Sequence, residues 1–266
     1  MLSAAGIPHA VERDGGGFTL LAPPEQVPYA RAALAAYDAE SRREPLATTP
    51  DVTPYPWMSG IAAGLVVLWL FSVTGTPVTG SRWFERGAAD AGLVLGGEPW
   101  RAVTALTLHL DLVHAGGNAL ALAVLLPPIV QRFGGGVALW LLLLAGAVGN
   151  VLAAMTYAGP HSAVGASTAA FGAVGMLAAL RLVPGEPGPR RKRWTAPVAG
   201  LVLLATLGTG PRADVPAHAL GLVAGGLLGF IAGMAGRRLA PSKIQWCAGI
   251  GAVIVVAGCW RLALRG

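Results

Sequence analysis

Charge is the first scarcity in this chain. Only 12% of its 266 residues are Asp, Glu, Lys or Arg, about half the share a soluble domain carries, and none occurs from Phe133 to Leu180. That excludes a water-soluble enzyme; with hydrophobic residues at 54%, the chain reads as a polytopic membrane protein. Cysteine is scarce as well. Cys247 and Cys259 stand twelve positions apart in one apolar segment, about 18 Å along a helix. A disulfide cannot bridge that distance, and two cysteines make no zinc cluster. The chain has no H-E-x-x-H motif, which excludes the helical zinc site. No Asp or Glu falls inside an apolar segment, so paired-carboxylate chemistry within the membrane is excluded too. Nothing calls for a cofactor or a metal. The first 50 residues contain no apolar run of the kind a cleavable signal peptide needs.

What the chain has in abundance is apolar segments long enough to cross a bilayer, for which about 20 residues are required. Seven candidates stand out, at roughly 57–75, 113–131, 135–156, 165–182, 195–209, 215–234 and 244–263. The fifth is short. The fold expected is therefore an all-α membrane protein, a polytopic helical bundle with a six-span core over 57–234 and an extra C-terminal span at 244–263. Ahead of it, "FTLLAPPEQVPYARAALAAYDAESRRE" reads as a short strand, a Pro-Pro start and a helix. Residues 1–50 thus form a small α/β cytosolic segment, joined to the bundle by the Pro- and Thr-rich linker 45–56.

The remaining charge orients the bundle. Residues 57–266 hold six acids and fifteen bases, and this basic excess belongs to membrane loops, not to nucleic-acid binding. Arg132, Arg181, the run Arg190–Arg191–Lys192–Arg193, and Arg237, Arg238 and Lys243 fall in alternate loops, against the single acid Glu186. The opposite loops carry no base between spans three and four and only Arg212 between five and six. By the positive-inside rule the N-terminus is cytoplasmic and the C-terminus outside, as suits a multi-pass protein of the cell's inner (plasma) membrane. The first outer loop, 76–112, is long enough to need structure or function of its own.

Against this background a few polar residues are out of place, because ionisable groups within spans are costly and usually functional. His114 and Asn118 share a face at the start of span two, Ser167 begins span four, and His218 lies near the start of span six. Spans two, four and six all run from outside to inside, so the topology alone gathers these residues at one end of the bundle. Around Ser167, "GASTAAFG" (165–172) leaves almost no side chain. Gly221, Gly225, Gly229 and Gly233 form a ladder on span six, the mark of a helix pressed backbone-close to a neighbour. If that neighbour is span four, His218 is brought to Ser167. Each feature has a plain structural alternative: the serine as packing glue, the histidine in an interhelical hydrogen bond, the His-Asn pair as a cap or cross-link. The combination is what points to chemistry.

These motifs resemble the rhomboid family of intramembrane serine proteases. That family carries a Trp-Arg pair in the first outer loop, then H-x4-H-x3-N, then G-x-S-G, then A-H-x2-G. Here they stand as Trp100–Arg101; His109, His114 and Asn118 in "HLDLVHAGGN"; Gly165 and Ser167 in "GAS"; and His218 with Gly221 in "AHALG". Order, spacing and membrane side agree over residues 57–234. The chain departs from the pattern at Thr168, where the family has Gly, and at Phe171, where a Tyr is frequent. An aromatic ring to pack on the histidine is kept.

The resemblance implies that Ser167 is the nucleophile and His218 its general base, a dyad because no acid lies within a span. The oxyanion would be met by the Ser167 backbone N–H and by the Asn118 and His114 side chains, while Trp100 and Arg101 would stabilise the outer loop. The implied partners are the lipid bilayer and single-span membrane proteins, cleaved near the outer face. Two rivals remain. One is a catalytically inactive rhomboid-like protein that binds and escorts transmembrane helices, although such proteins typically lack the Ser or the His. The other is a small transporter, for which the expected repeated halves are not visible.

Overall fold

The computed structural model describes residues 2–3, 6–14, 17–43, 56–78, 81–184, 198, 213–236 and 241–265. The chain divides into two compact units, Met1–Val52 and Thr53–Gly266. In the first, β1 (Ala10–Asp14) pairs antiparallel with β2 (Gly17–Leu21), setting Val11 opposite Leu20. A 3-10 turn and helix α1 (Val27–Arg43) follow. The sequence reading found the second strand and missed the first, because "AVERD" is too polar to alternate visibly. The buried apolar cluster of this unit is Leu2, Ile7 and Ala30.

The second unit begins with α2 (Pro56–Thr74). The long loop after it is built of short elements: α3 (Arg82–Gly87), β3 (Ala89–Asp90), α4 (Ala91–Leu95), α5 (Arg101–Thr104) and a 3-10 turn at Ala105–Thr107. Then come α6 (Leu112–Phe133), α7 (Gly135–Ala154), β4 (Ser162–Ala163), α8 (Ser167–Leu180), α9 (Val215–Met234) and α10 (Ser242–Arg265). Among the described residues, α2, α6, α7, α9 and α10 are long and apolar enough to cross a membrane. The candidate span at 195–209 lies outside the described residues.

The sequence reading gave span four eighteen residues, 165–182; α8 has 14, about 21 Å of helix, well short of the hydrocarbon thickness. Its start is fixed by Gly165, whose φ of +129° no other residue adopts readily. It can be short because protein surrounds it. Ala170, Ala173, Met176 and Leu180 are buried in one core with residues of α6 and α7, and a helix sheathed in protein need not match the lipid.

The glycine ladder explains how α8 and α9 meet. A Cβ on Gly229 would stand 2.7 Å from the Met176 Cα. One on Gly225 or Gly175 would overlap the backbone of Gly172 or Leu222. Only glycine permits this approach, and it runs up the seam to Gly221, which abuts the Thr168 carbonyl. A second close approach lies between α2 and α6. Pro127 has no N–H to offer the Ala123 carbonyl, and α2 comes up to that carbonyl at Gly60, where any side chain would collide.

Candidate active site

The seam brings Ser167 and His218 together. Nε2 of His218 lies 2.8 Å from Oγ of Ser167, and the Phe171 ring, one turn along α8, lies 4.7 Å from the imidazole, centroid to centroid. His218 is 6% exposed. Its helix starts one turn earlier at Asp214, whose carboxylate accepts from the Ala217 N–H at 3.1 Å, with Pro216 just inside the first turn.

The segment entering α8 hangs on the long loop. The Gly165 N–H donates to the Ala105 carbonyl at 2.9 Å, and the Ala166 N–H reaches Nε2 of His109 at 3.5 Å. His114 and Asn118 lie over this segment from α6. A Cβ on Gly165 would stand 2.6 and 2.7 Å from Cε1 and Nε2 of His114, and 3.5 Å from Nδ2 of Asn118. The missing side chain at Gly165 is therefore what admits His114, with Asn118 in ordinary contact beside it. The first turn of α6 is held by Asp111, which accepts from the His114 N–H at 2.8 Å. Nδ1 of His114 accepts from the Leu110 N–H at 3.4 Å, so in the neutral ring Nε2 carries the proton and faces Gly165. Asn118 is buried, and its Nδ2 has no hydrogen-bond partner among the described residues. An orphaned buried donor is costly and marks a place where an acceptor can arrive. No side chain caps α8, so its N-terminal amides add positive potential there.

His109 is fully buried, edge-on to His114 at 5.3 Å. Burial, then the neighbouring His114, hold its pKa down at about 4, against the opposing pull of the Thr107 backbone. It is neutral at pH 7 and can accept from Ala166. The unfolded chain takes up this proton near the ordinary 6.5. Stability is therefore complete above that value, falls as pH drops from 6.5 to 4, and levels off below. The full loss is about 3 kcal/mol, at roughly 1.4 kcal/mol per pH unit. Thermal unfolding in detergent at pH 7, 5.5 and 4 checks this: His109→Gln is expected to flatten the profile, and an unchanged slope would remove His109 as its source.

Trp100 and Arg101 are not brought to the Ser167–His218 pair. Arg101 is buried in the long loop, with Nε 2.6 Å from the Glu98 carboxylate and Nη1 donating to the Glu85 and Ala88 carbonyls at 3.0 and 3.1 Å. Thr168 fills a notch: Cβ atoms on Gly149 and Gly221 would stand 2.6 and 2.9 Å from its methyl. Thr168→Gly, which restores the family's residue, should therefore have two separate effects. Chemistry at Ser167 should survive, while the emptied notch should cost about 1–2 kcal/mol, seen as a lowered Tm with labelling at Ser167 retained.

Several neighbours of the site were not singled out from sequence. Nδ2 of Asn150 donates to the Ala102 carbonyl at 2.9 Å, tying α7 to the long loop. As the lone Asn of an otherwise apolar helix it gave a readable signal. The Tyr157 hydroxyl donates to Asp214 at 2.7 Å, Nε2 of His161 lies 2.8 Å from the other oxygen, and the two rings stack at 3.6 Å. Burial pushes the Asp214 carboxyl up, but the hydrogen bonds from Tyr157, His161 and the Ala217 N–H, with the charge of His161, outweigh it and leave the pKa below the usual range. Burial and the bonded carboxylate both push the Tyr157 hydroxyl upward. The pattern D-x-P in front of α9 was a legible helix cap; its partners, more than fifty residues away, were not. Beside these groups opens a cavity of about 1190 Å³, whose described lining includes Val113, His114, Asn118, Ser167, Phe171 and His218.

Fold and site together define a class: a polytopic helical membrane protein whose central short helix presents a serine to a histidine beside an apolar cavity. The Rhomboid domain family model matches residues 96–235, just over half the chain, and the chain belongs to the rhomboid family. It is 31% identical over 117 residues to Rhomboid protease GluP of Bacillus subtilis (strain 168), covering 44% of this chain and 23% of that protein. It is 30% identical over 148 residues to RHOMBOID-like protein 5 of Arabidopsis thaliana, 54% of this chain and 48% of that one. Against Putative rhomboid protease YdcA of Bacillus subtilis (strain 168), identity is 29% over 181 residues, 66% of this chain and 88% of the relative. The chain thus spans less than half the length of the first two relatives.

Proposed function

We propose that this protein is an intramembrane serine endopeptidase that cleaves transmembrane helices near the outer membrane face with a Ser167–His218 dyad. The observation that carries the reading is the 2.8 Å Ser167–His218 contact beside the orphaned Asn118 amide. His218 takes the hydroxyl proton as Ser167 attacks the scissile carbonyl, then gives it to the leaving amine. The acyl-enzyme is hydrolysed by a water that loses its proton to His218, and Ser167 regains its own. While the carbonyl carries negative charge, the Ser167 N–H, Asn118 Nδ2 and His114 Nε2 donate to it. The small residues of 165–172 leave room for a substrate backbone, which must be unwound to reach Ser167. Single-span proteins are the proposed substrates, because a lone helix can enter the cavity from the lipid without first leaving a bundle.

Purified protein incubated with a panel of single-span substrates tests the proposal. Cleavage by wild type and none by Ser167→Ala is the expected result. Capture of the same helices without cleavage, by wild type and Ser167→Ala alike, would sink it in favour of an inactive binding protein.

A further inference from the structure

Helix α10 lies beyond the residues that the family model matches, and the mechanism above gives it no task. It is nonetheless tied into the bundle at both ends. Near its start, the Gln245 side chain accepts from the Val137 N–H at 3.1 Å and donates to the Phe133 carbonyl at 2.9 Å, clasping the turn between α6 and α7. Fifteen residues on, about 22 Å along the helix, Trp260 reaches the long loop. Its indole N–H donates to Oγ1 of Thr107 at 3.1 Å, and Trp83 meets its ring edge-on at 5.1 Å. A Cβ on Gly87 would collide with the indole, so a glycine makes the berth.

The contact is one link of a closed circuit. The Thr107 hydroxyl donates to the Thr104 carbonyl at 2.7 Å, and the Thr104 hydroxyl donates to the carbonyl of Gly87, also at 2.7 Å. Thr104 is fully buried and Thr107 nearly so, where each such bond carries more weight than at a surface. What the circuit holds is the turn Ala105–Thr107. From that turn the Ala105 carbonyl accepts the Gly165 N–H, and two residues beyond it His109 accepts from Ala166. The segment that sets Ser167 beneath His114 and Asn118 is therefore suspended from a turn that α10 pins in place.

We propose that Trp260 is a positioning residue: by holding the 105–107 turn through Thr107, it sets the oxyanion side of the Ser167 site, so that the last helix tunes the chemical step. The inference rests on the proteolytic reading for its kinetic arm only. Trp260→Phe keeps an aromatic ring, smaller than the indole, and removes the N–H; Thr107→Val removes the acceptor at nearly constant volume, together with the hydroxyl's donation to Thr104. Trp260→Phe is expected to lower kcat on a cleavable single-span substrate about tenfold, the equivalent of one buried hydrogen bond, and Thr107→Val by at least as much, with KM unchanged in both. The double variant should be no slower than Thr107→Val alone, because that change already removes the bond from Trp260 along with the one to Thr104. Gln245→Ala loosens the other end of α10; it should lower Tm and leave kcat alone, which separates positioning from mere anchoring.

Amide hydrogen exchange supplies the arm that needs no activity. In Trp260→Phe, Gly165 and Ala166 should exchange faster while α9 keeps its protection. Wild-type exchange at these two amides in Trp260→Phe would overturn the proposal, as would a kcat loss that Gln245→Ala reproduces. Faster exchange in Trp260→Phe together with a wild type that cleaves nothing would instead remove the proteolytic reading and leave the pinned turn standing.

Discussion

Replacing His218 by alanine is expected to cut fluorophosphonate labelling of Ser167 by on the order of 10⁴-fold, close to the loss from Ser167→Ala itself. A serine hydroxyl is a poor nucleophile at neutral pH until a positioned base takes its proton. At 2.8 Å, Nε2 of His218 is within hydrogen-bond reach of Oγ, and Phe171 fixes the ring from the side. Several other hydroxyls in or beside the described helices are already committed. Ser72, Thr74 and Thr156 donate to carbonyls of their own helices, and Thr104 and Thr107 belong to the circuit under Trp260. The probe should therefore mark Ser167 alone. Asn118→Ala should cost less, about 10²-fold for one oxyanion donor, since His114 and the Ser167 N–H remain. Mass-spectrometric mapping of the labelled peptide reads all of this, and full labelling of His218→Ala would remove the dyad.

The pair was legible in the sequence because its causes are local patterns repeated at fixed spacing. Glycines every fourth residue from 221 to 233 demand a close neighbour, and the run of small residues after Gly165 supplies one. Charge bias, as a further expectation from sequence, sets the starts of alternate spans at one end, and with them His114, Asn118, Ser167 and His218. The shortness of α8 was not legible. Hydropathy registers an apolar helix and cannot distinguish one facing lipid from one sheathed in protein, so Gly165 and Ala166 read as part of a span when they form its suspended entry. The supports were hidden for a different reason. Asn150 on Ala102, Tyr157 and His161 on Asp214, and Trp260 on Thr107 join residues 48 to 153 positions apart. No periodicity connects such pairs: Asn150 and Trp260 meet the long loop, whose short elements carry no repeat to read, and Tyr157 and His161 meet the cap of α9.

The second large effect belongs to that glycine seam, and two adjacent residues separate its cause from helix propensity. Gly225→Ala adds a methyl that would overlap the Gly172 backbone. Backbone cannot swing aside as a flexible side chain can, so α8 and α9 must part. Overpacking of this kind costs about 1–3 kcal/mol. The parting also acts at a distance, because Gly225 is two turns from His218 on one helix and Gly172 lies five residues from Ser167 on the other. A separation of about 1 Å at the reacting pair costs on the order of 10²-fold in rate. Gly226→Ala adds the same methyl one residue along, where the nearest atom, the Gly175 carbonyl oxygen, is 3.7 Å away. That is ordinary contact, and trading a helical glycine for alanine should be neutral or stabilise by up to about 1 kcal/mol. Gly225→Ala is thus expected to lower both Tm and labelling at Ser167 sharply, while Gly226→Ala keeps both. Equal behaviour of the two variants would mean that the α8–α9 seam does not hold the serine to the histidine.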